Sequence, residues 1–269
     1  MKKNLLSALL IVATVNVFAT VLTVSNQSPN PGQYTTIQAA INAATAGDSI
    51  YIHPSSVVYA GFSLDRQLTI ISSGFEPSSA NPNPYAFVNP SVASSINASG
   101  SKIIGIYFQN GFGMDVTGLH DFTLSRCILV NIGSRLPING YNIILTENFF
   151  YQFGFSSYNG LGTAHDILIS NNVFLVGGTY RPFDNIHGVT NLTVNNNLFY
   201  GYNTPLSISG GSGTSGIIFS NNIFNKVAFT SVSGCTFSNC LTYQCTGNTP
   251  WINNGTDRSE EHTSELQSR

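Results

Sequence analysis

The segment GGTYRPFDNIHG, residues 177–188, gathers Tyr180, Arg181, Asp184 and His187 within eight residues. An arginine or a histidine so placed can act as general base or acid in an elimination. Arg181, Asp184 and His187 are therefore the candidate catalytic residues. Arginine, aspartate and asparagine also bond hydroxyls and carboxylates, and tyrosine rings stack on apolar sugar faces. Counting ten residues back from the apolar anchor of the next repeat gives Arg135, Asn159, Asp184 and Ser209, read as one outward row. With Tyr158 and Tyr180 that row forms a shallow polar-aromatic face. Arg135, Tyr158, Asn159 and Tyr180 are the candidate substrate-binding residues. The same residues also fit a solvated loop with an internal Arg–Asp pair.

Other chemistry is sparse. Glycoside hydrolysis needs two carboxyls roughly 5 to 9.5 Å apart. The candidate acids are Asp115, Asp121, Glu147, Asp166 and Asp184. Asp121, Asn142, Asp166 and Asn191 recur at one turn position, where an Asx side chain bonds its own backbone, so they read as structural. His120 and His165 fall two repeats apart, about 10 Å, too far to share a metal without a bridging ligand. Arg126 and Glu147 occupy the same place in successive repeats and are expected to pair. The cysteines are Cys127, Cys235, Cys240 and Cys245. Cys127 lies too far from the others for a disulfide, so at most one bond is expected, among the last three. They lack the Cys-x-x-Cys spacing and nearby histidine of a zinc site. No cofactor and no metal site is evident.

What positions these residues is a repeat. Apolar anchors at Leu124, Leu145, Ile169, Val194, Phe219 and Phe237 are spaced by 21, 24, 25, 25 and 18 residues. An apolar residue stands two before each anchor, so each repeat begins with a strand buried on one face. Three after the anchors come Cys127, Asn148, Asn172, Asn197, Asn222 and Cys240; five after come Leu129, Phe150, Phe174, Phe199, Phe224 and Thr242. Fixed-period self-similarity of this length specifies a solenoid. Stacked about 4.8 Å apart, the asparagines would form a structural ladder of amides, Asn148, Asn172, Asn197 and Asn222, above stacked phenylalanines. Strict alternation would turn Ile128, Phe149, Val173, Leu198, Ile223 and Leu241 outward. Turns break period-two counting, and the row is expected to be re-aimed. A leucine-rich repeat is the alternative fold, but the segments between strands lack the helical convex element it needs.

The segment TTIQAAINAATAG starts with a capping box, Thr35 to Gln38, and carries Ile37, Ala40, Ile41 and Ala44 on one helical face, with Gly47 as a stop. This predicts a helix over about 35–46 that closes the open end of the solenoid. SIYIHP and QLTIISSG follow as strands. Charged residues make up 8% of the 269 and the net charge is -2, which gives nucleic acid or an anionic membrane nothing to bind. Lys2 and Lys3, the apolar run 5–15 and a small residue at Ala19 form an export signal over 1–19, too short for a membrane span. After its removal the chain is not an integral membrane protein. Residues 258–269 carry three glutamates in a chain that avoids charge and match the translation of a short-read sequencing adapter, so they are set aside as an artefactual tail. Residues 20–257 then form a single domain, with its clearest coils over 118–245.

Residues 34–74, YTTIQAAINAATAGDSIYIHP through LTIISSG, resemble the capping helix and first coils of the right-handed parallel β-helix superfamily of pectin-lyase-like proteins. The asparagine repeats from Phe122 to Cys240 resemble its later coils. The resemblance implies an all-β, right-handed parallel β-helix with a short N-terminal capping helix, and an extracellular polysaccharide as partner. It also implies a lyase- or hydrolase-like scaffold, calcium as a cofactor of some members, and a monomer. The hydrolase branch's Asn-x-Asp, Asp-Asp and Arg-x-Lys motifs are absent, and His187-Gly188 alone is a weak match to its His-Gly. Two functions stand: a secreted or cell-surface polysaccharide-binding or polysaccharide-cleaving protein, and a non-catalytic adhesive solenoid.

Overall fold

A computed structural model describes residues 19–29, 31–74, 85–89, 92–110, 112–113, 117–130, 136–137, 140–152, 155–156, 164–175, 183–184, 188–201, 206–209 and 213–247. The chain is an all-β, right-handed parallel β-helix. A ten-stranded sheet runs from Val21–Val24 through Ser49–Ile52 to Cys235–Ser238, and an eight-stranded sheet from Ala86–Val88 to Leu241–Tyr243. Three short three-stranded sheets make the third face. Every pairing between named strands is parallel and joins one coil to the next, and the right-handed crossover follows from strand twist.

The anchor column holds in register as Leu124, Leu145, Ile169, Val194, Phe219 and Phe237. It continues upstream through Ile103, Ile70, Ile50 and Leu22, four coils that lack the ladder asparagine, and of these the Ile103 coil alone puts a phenylalanine, Phe108, in the ring column. Inside, Phe150, Phe174, Phe199 and Phe224 stack with ring centres 4.7, 4.7 and 4.9 Å apart. Offset ring pairs add to what burial alone contributes.

The ladder is formed as a chain of amides. Asn148 Nδ2 donates to Asn172 Oδ1 at 3.1 Å, Asn172 to Asn197 at 3.0 Å and Asn197 to Asn222 at 3.0 Å. Each Oδ1 also accepts the backbone N–H of the preceding rung. Cys127 N donates to Asn148 Oδ1, and the Asn222 amide reaches Cys240 Sγ at 3.9 Å, so a thiol borders the ladder at each end. None of the four cysteines forms a disulfide, and burial pushes the Cys127 thiol up to about 12.

The corners explain the repeated Asx residues. Asp121, Asn142, Asp166 and Asn191 all have φ between 53° and 55°, and the next coils put Gly216 and Gly234 there at 68° and 73°. A left-handed backbone favours glycine, asparagine and aspartate, so the column is dictated by conformation. A second such corner passes through Gly105, Arg126, Glu147, Asn171, Asn196, Asn221 and Asn239. Arg126 and Glu147 do not pair. The Arg126 guanidinium lies over Gly74 instead, on the N-terminal side, where the missing side chain leaves room.

The capping helix is shorter than the sequence predicts, Ile37–Ala43, and its N-cap is Thr36, whose hydroxyl accepts from Ala39 N. Gln38 does not close a capping box; its Oε1 accepts from Ser63 N. The helix ends at Ala43 rather than at Gly47, and Arg66 donates to the carbonyl of Ala44 there. Asp48 ties the cap to the first coil by accepting from Thr20 N, Thr45 N and the Thr45 hydroxyl. The two backbone N–H groups hold its carboxyl at about 2. A depressed folded value means stability present above the unfolded pKa near 3.9 and lost as pH falls toward 2. The shift corresponds to on the order of 2 kcal/mol at most. Asp48 exposes only 3% of its surface, so solvent screens these bonds little. We expect Asp48→Asn to melt lower than wild type at pH 7 and the gap to close between pH 4 and pH 2; a gap independent of pH would count against this role.

Candidate functional site

Of the predicted site residues, Arg135, Tyr158, Asn159, Tyr180, Arg181 and His187 lie outside the described residues. Asp184 ends the strand Phe183–Asp184, whose Phe183 is fully buried and edges the Phe219 ring at 5.4 Å. Register places Ser156 beside Asp184, and Pro137 beside Ser156. The row drawn through Arg135, Asn159, Asp184 and Ser209 is therefore corrected. Ser209 belongs to a separate short sheet, where it pairs with Ser233.

The described residues assemble a different polar cluster at the leading ends of strands in the middle of the ten-stranded sheet. Parallel register stacks His120, Tyr141 and His165 in successive coils. The His120 and Tyr141 rings are 4.8 Å apart at 12°, and those of Tyr141 and His165 4.9 Å apart at 8°. Tyr141 fills the gap between the histidines. His120 Nδ1 lies 2.8 Å from Asp121 Oδ2 and His165 Nδ1 2.7 Å from Asp166 Oδ2. Asn142 donates to Asp121 and Asn191 to Asp166, each at 3.0 Å. The histidine bond first, then the asparagine bond, holds each carboxyl below its ordinary range. Each aspartate therefore spends its carboxylate oxygens on a neighbouring imidazole and an asparagine amide, and the two stand two coils apart, roughly 10 Å. Tyr141 precedes Asn142 as the histidines precede Asp121 and Asp166, so the sequence alignment held the signal for this column.

Among the described residues, no three His, Cys, Asp or Glu side chains converge to hold a metal.

The eight-stranded sheet supplies the other surface. Ile128, Phe149, Val173, Leu198, Ile223 and Leu241 share one register row. The row is not re-aimed as expected. It faces outward, buried only at Ile128 (8%), half-buried at Phe149, Val173 and Leu198, and exposed at Ile223 (44%) and Leu241 (55%). The left-handed corner changes the chain's direction before the strand begins, so alternation is preserved within it. A second outward row carries Val130, Tyr151, Leu175, Tyr200, Asn225 and Tyr243. Neither row holds a charge, and exposed amides stand on both flanks, Asn171, Asn196, Asn221 and Asn239 on one, Asn110 and Gln244 on the other. Lys226 is at the second flank, 5.7 Å over the Tyr200 ring.

No family model matches the chain, and no curated protein does. Among solved structures, it is similar to a tailspike protein of E. coli bacteriophage HK620 in complex with a pentasaccharide. The identity is 11% and the TM-score 0.33, over 80% of this chain and 59% of that one. The chain thus spans less than two thirds of the tailspike's length. No helix among the described residues is long and apolar enough to cross a membrane.

Proposed function

We propose that this protein is an exported β-helix that binds an extracellular polysaccharide at the cell surface or beyond it. The observation that carries this reading is the outer face of the eight-stranded sheet, an uncharged aromatic and aliphatic floor with a line of exposed amides on one flank and Asn110, Lys226 and Gln244 on the other. A sugar ring has apolar C–H faces and a hydroxyl rim, so it stacks on such a floor while amides bond its edge. Export rests on Lys2, Lys3 and the apolar run after them.

Binding without cleavage is the form favoured, because the two aspartates of the stacked column are each tied to a histidine and an asparagine and stand two coils apart. Cleavage is the second reading, favoured by the density of Tyr180, Arg181, Asp184 and His187 within eight residues of sequence. A panel of acidic and neutral polysaccharides separates the two, scored for binding, for new reducing ends and for the absorbance of unsaturated products. We expect retention of a polysaccharide with neither product, unchanged by Arg181→Ala or Asp184→Ala. Cleavage abolished by either substitution would make this an enzyme.

A further inference from the structure

We infer that the ligand of the eight-stranded face is a single chain of uncharged linear glycan lying along the solenoid axis; this rests on the polysaccharide reading above. The first argument is shape. Eight strands about 4.8 Å apart give a strip roughly 34 Å long, and two outward residues per strand make it about 10 Å wide. That is a few hundred Å2, well under the ~800 Å2 per partner of a stable protein interface. A second copy or another folded protein would be held by too little surface, whereas a chain one sugar wide matches the strip's proportions.

The second argument is charge. An acidic glycan would meet no cation on the floor. Of the two described cations at its flanks, Lys226 is engaged over Tyr200, and Arg126 lies over Gly74 beside the acidic Glu147 corner. A neutral glycan needs only stacking and amide bonds, which the strip repeats from coil to coil. Tyr200 and Tyr243 stand two coils apart in one row, 40% and 54% exposed, with Leu241 in the adjacent row. A polymer of repeated units thus meets repeated subsites, and binding to one raises the effective concentration at the next.

The test uses the whole chain and isothermal titration with cellohexaose, mannohexaose, xylohexaose and hexagalacturonate. Variants are Tyr200→Ala with Tyr243→Ala, Leu241→Ser, and His165→Ala on the other sheet as control. The substituted tyrosines and Leu241 are exposed, and melting curves verify that each variant folds. At least one neutral hexamer is expected to bind, about 10-fold more weakly after the double tyrosine change, with His165→Ala without effect. Neutral binding indifferent to the tyrosines would overturn the assignment to this face and leave the polysaccharide reading standing. Binding of hexagalacturonate alone would overturn the ligand class and likewise spare that reading. Retention of no glycan, in this titration or in the polysaccharide panel, sinks both. Self-association in the ultracentrifuge that Leu241→Ser abolishes would make the strip an interface between copies and overturn the inference.

Discussion

Asn197→Ala is expected to lower the melting temperature by roughly 10 °C. Asn197 is 2% exposed and sits mid-ladder. Its Oδ1 accepts both Asn172 N and Asn172 Nδ2, and its Nδ2 lies 2.9 to 3.0 Å from Ile169 O, Asn195 O and Asn222 Oδ1. Alanine orphans these groups in a dry interior, and each buried unsatisfied group costs about 1–3 kcal/mol. Partial relaxation brings the total to about 4 kcal/mol. The neighbour supplies the control. Asn196 is exposed, with φ of 54°, and Asn196→Ala forfeits only conformational preference, about 1 kcal/mol. Melting curves giving equal losses at the two positions would show that the ladder is decorative.

Phe174→Ala is expected to cost about 3–5 kcal/mol, as large aromatic deletions in close-packed cores do. Its ring is fully buried, 4.7 Å from both Phe150 and Phe199, so the cavity opens in the middle of a stack. Phe174→Leu keeps most of the volume and should cost about 1.5 kcal/mol. In a solenoid each coil touches only its neighbours, so the damage should stay local. Hydrogen exchange is expected to quicken across Phe149–Tyr151, Val173–Leu175 and Leu198–Tyr200 and to remain unchanged at Ser49–Ile52. Uniform acceleration along the chain would mean that the coils unfold as one unit.

The fold was legible wherever equivalent residues stack. Asn148 to Asn222 and Phe150 to Phe224 were visible as columns because parallel register forces chemically alike residues onto the same rung. The first coils were harder to read. Their core positions are Leu22, Ile50, Ile70 and Ile103, ordinary aliphatics that carry no repeat signature. The site was less legible, because counting fails where coil length varies. Asp184 is ten residues before its anchor Val194, yet its partner Ser156 is thirteen before Ile169 and Pro137 eight before Leu145. Segments of unequal length between the third face and the ten-stranded sheet absorb the difference. Reading the outer row as re-aimed failed for a different reason: the bend is taken up by one left-handed residue, such as Asn171 or Asn196, which leaves the strand's alternation intact.

The bonds between coils, such as Val173 N to Asn148 O, Leu198 N to Asn172 O and Ile223 N to Asn197 O, lie across the strands and therefore along the solenoid axis. The molecule is accordingly anisotropic under force. Tension along the axis loads one coil's bonds at a time and peels the structure like a spring drawn from its end. Tension along a strand loads a whole ladder in shear and meets far more resistance. A fibre bonded lengthwise over the eight-stranded face would stitch together coils that are 18 to 25 residues apart in the repeat region and share that axial load among them. The direction in which the chain is tethered would then decide how firmly it holds.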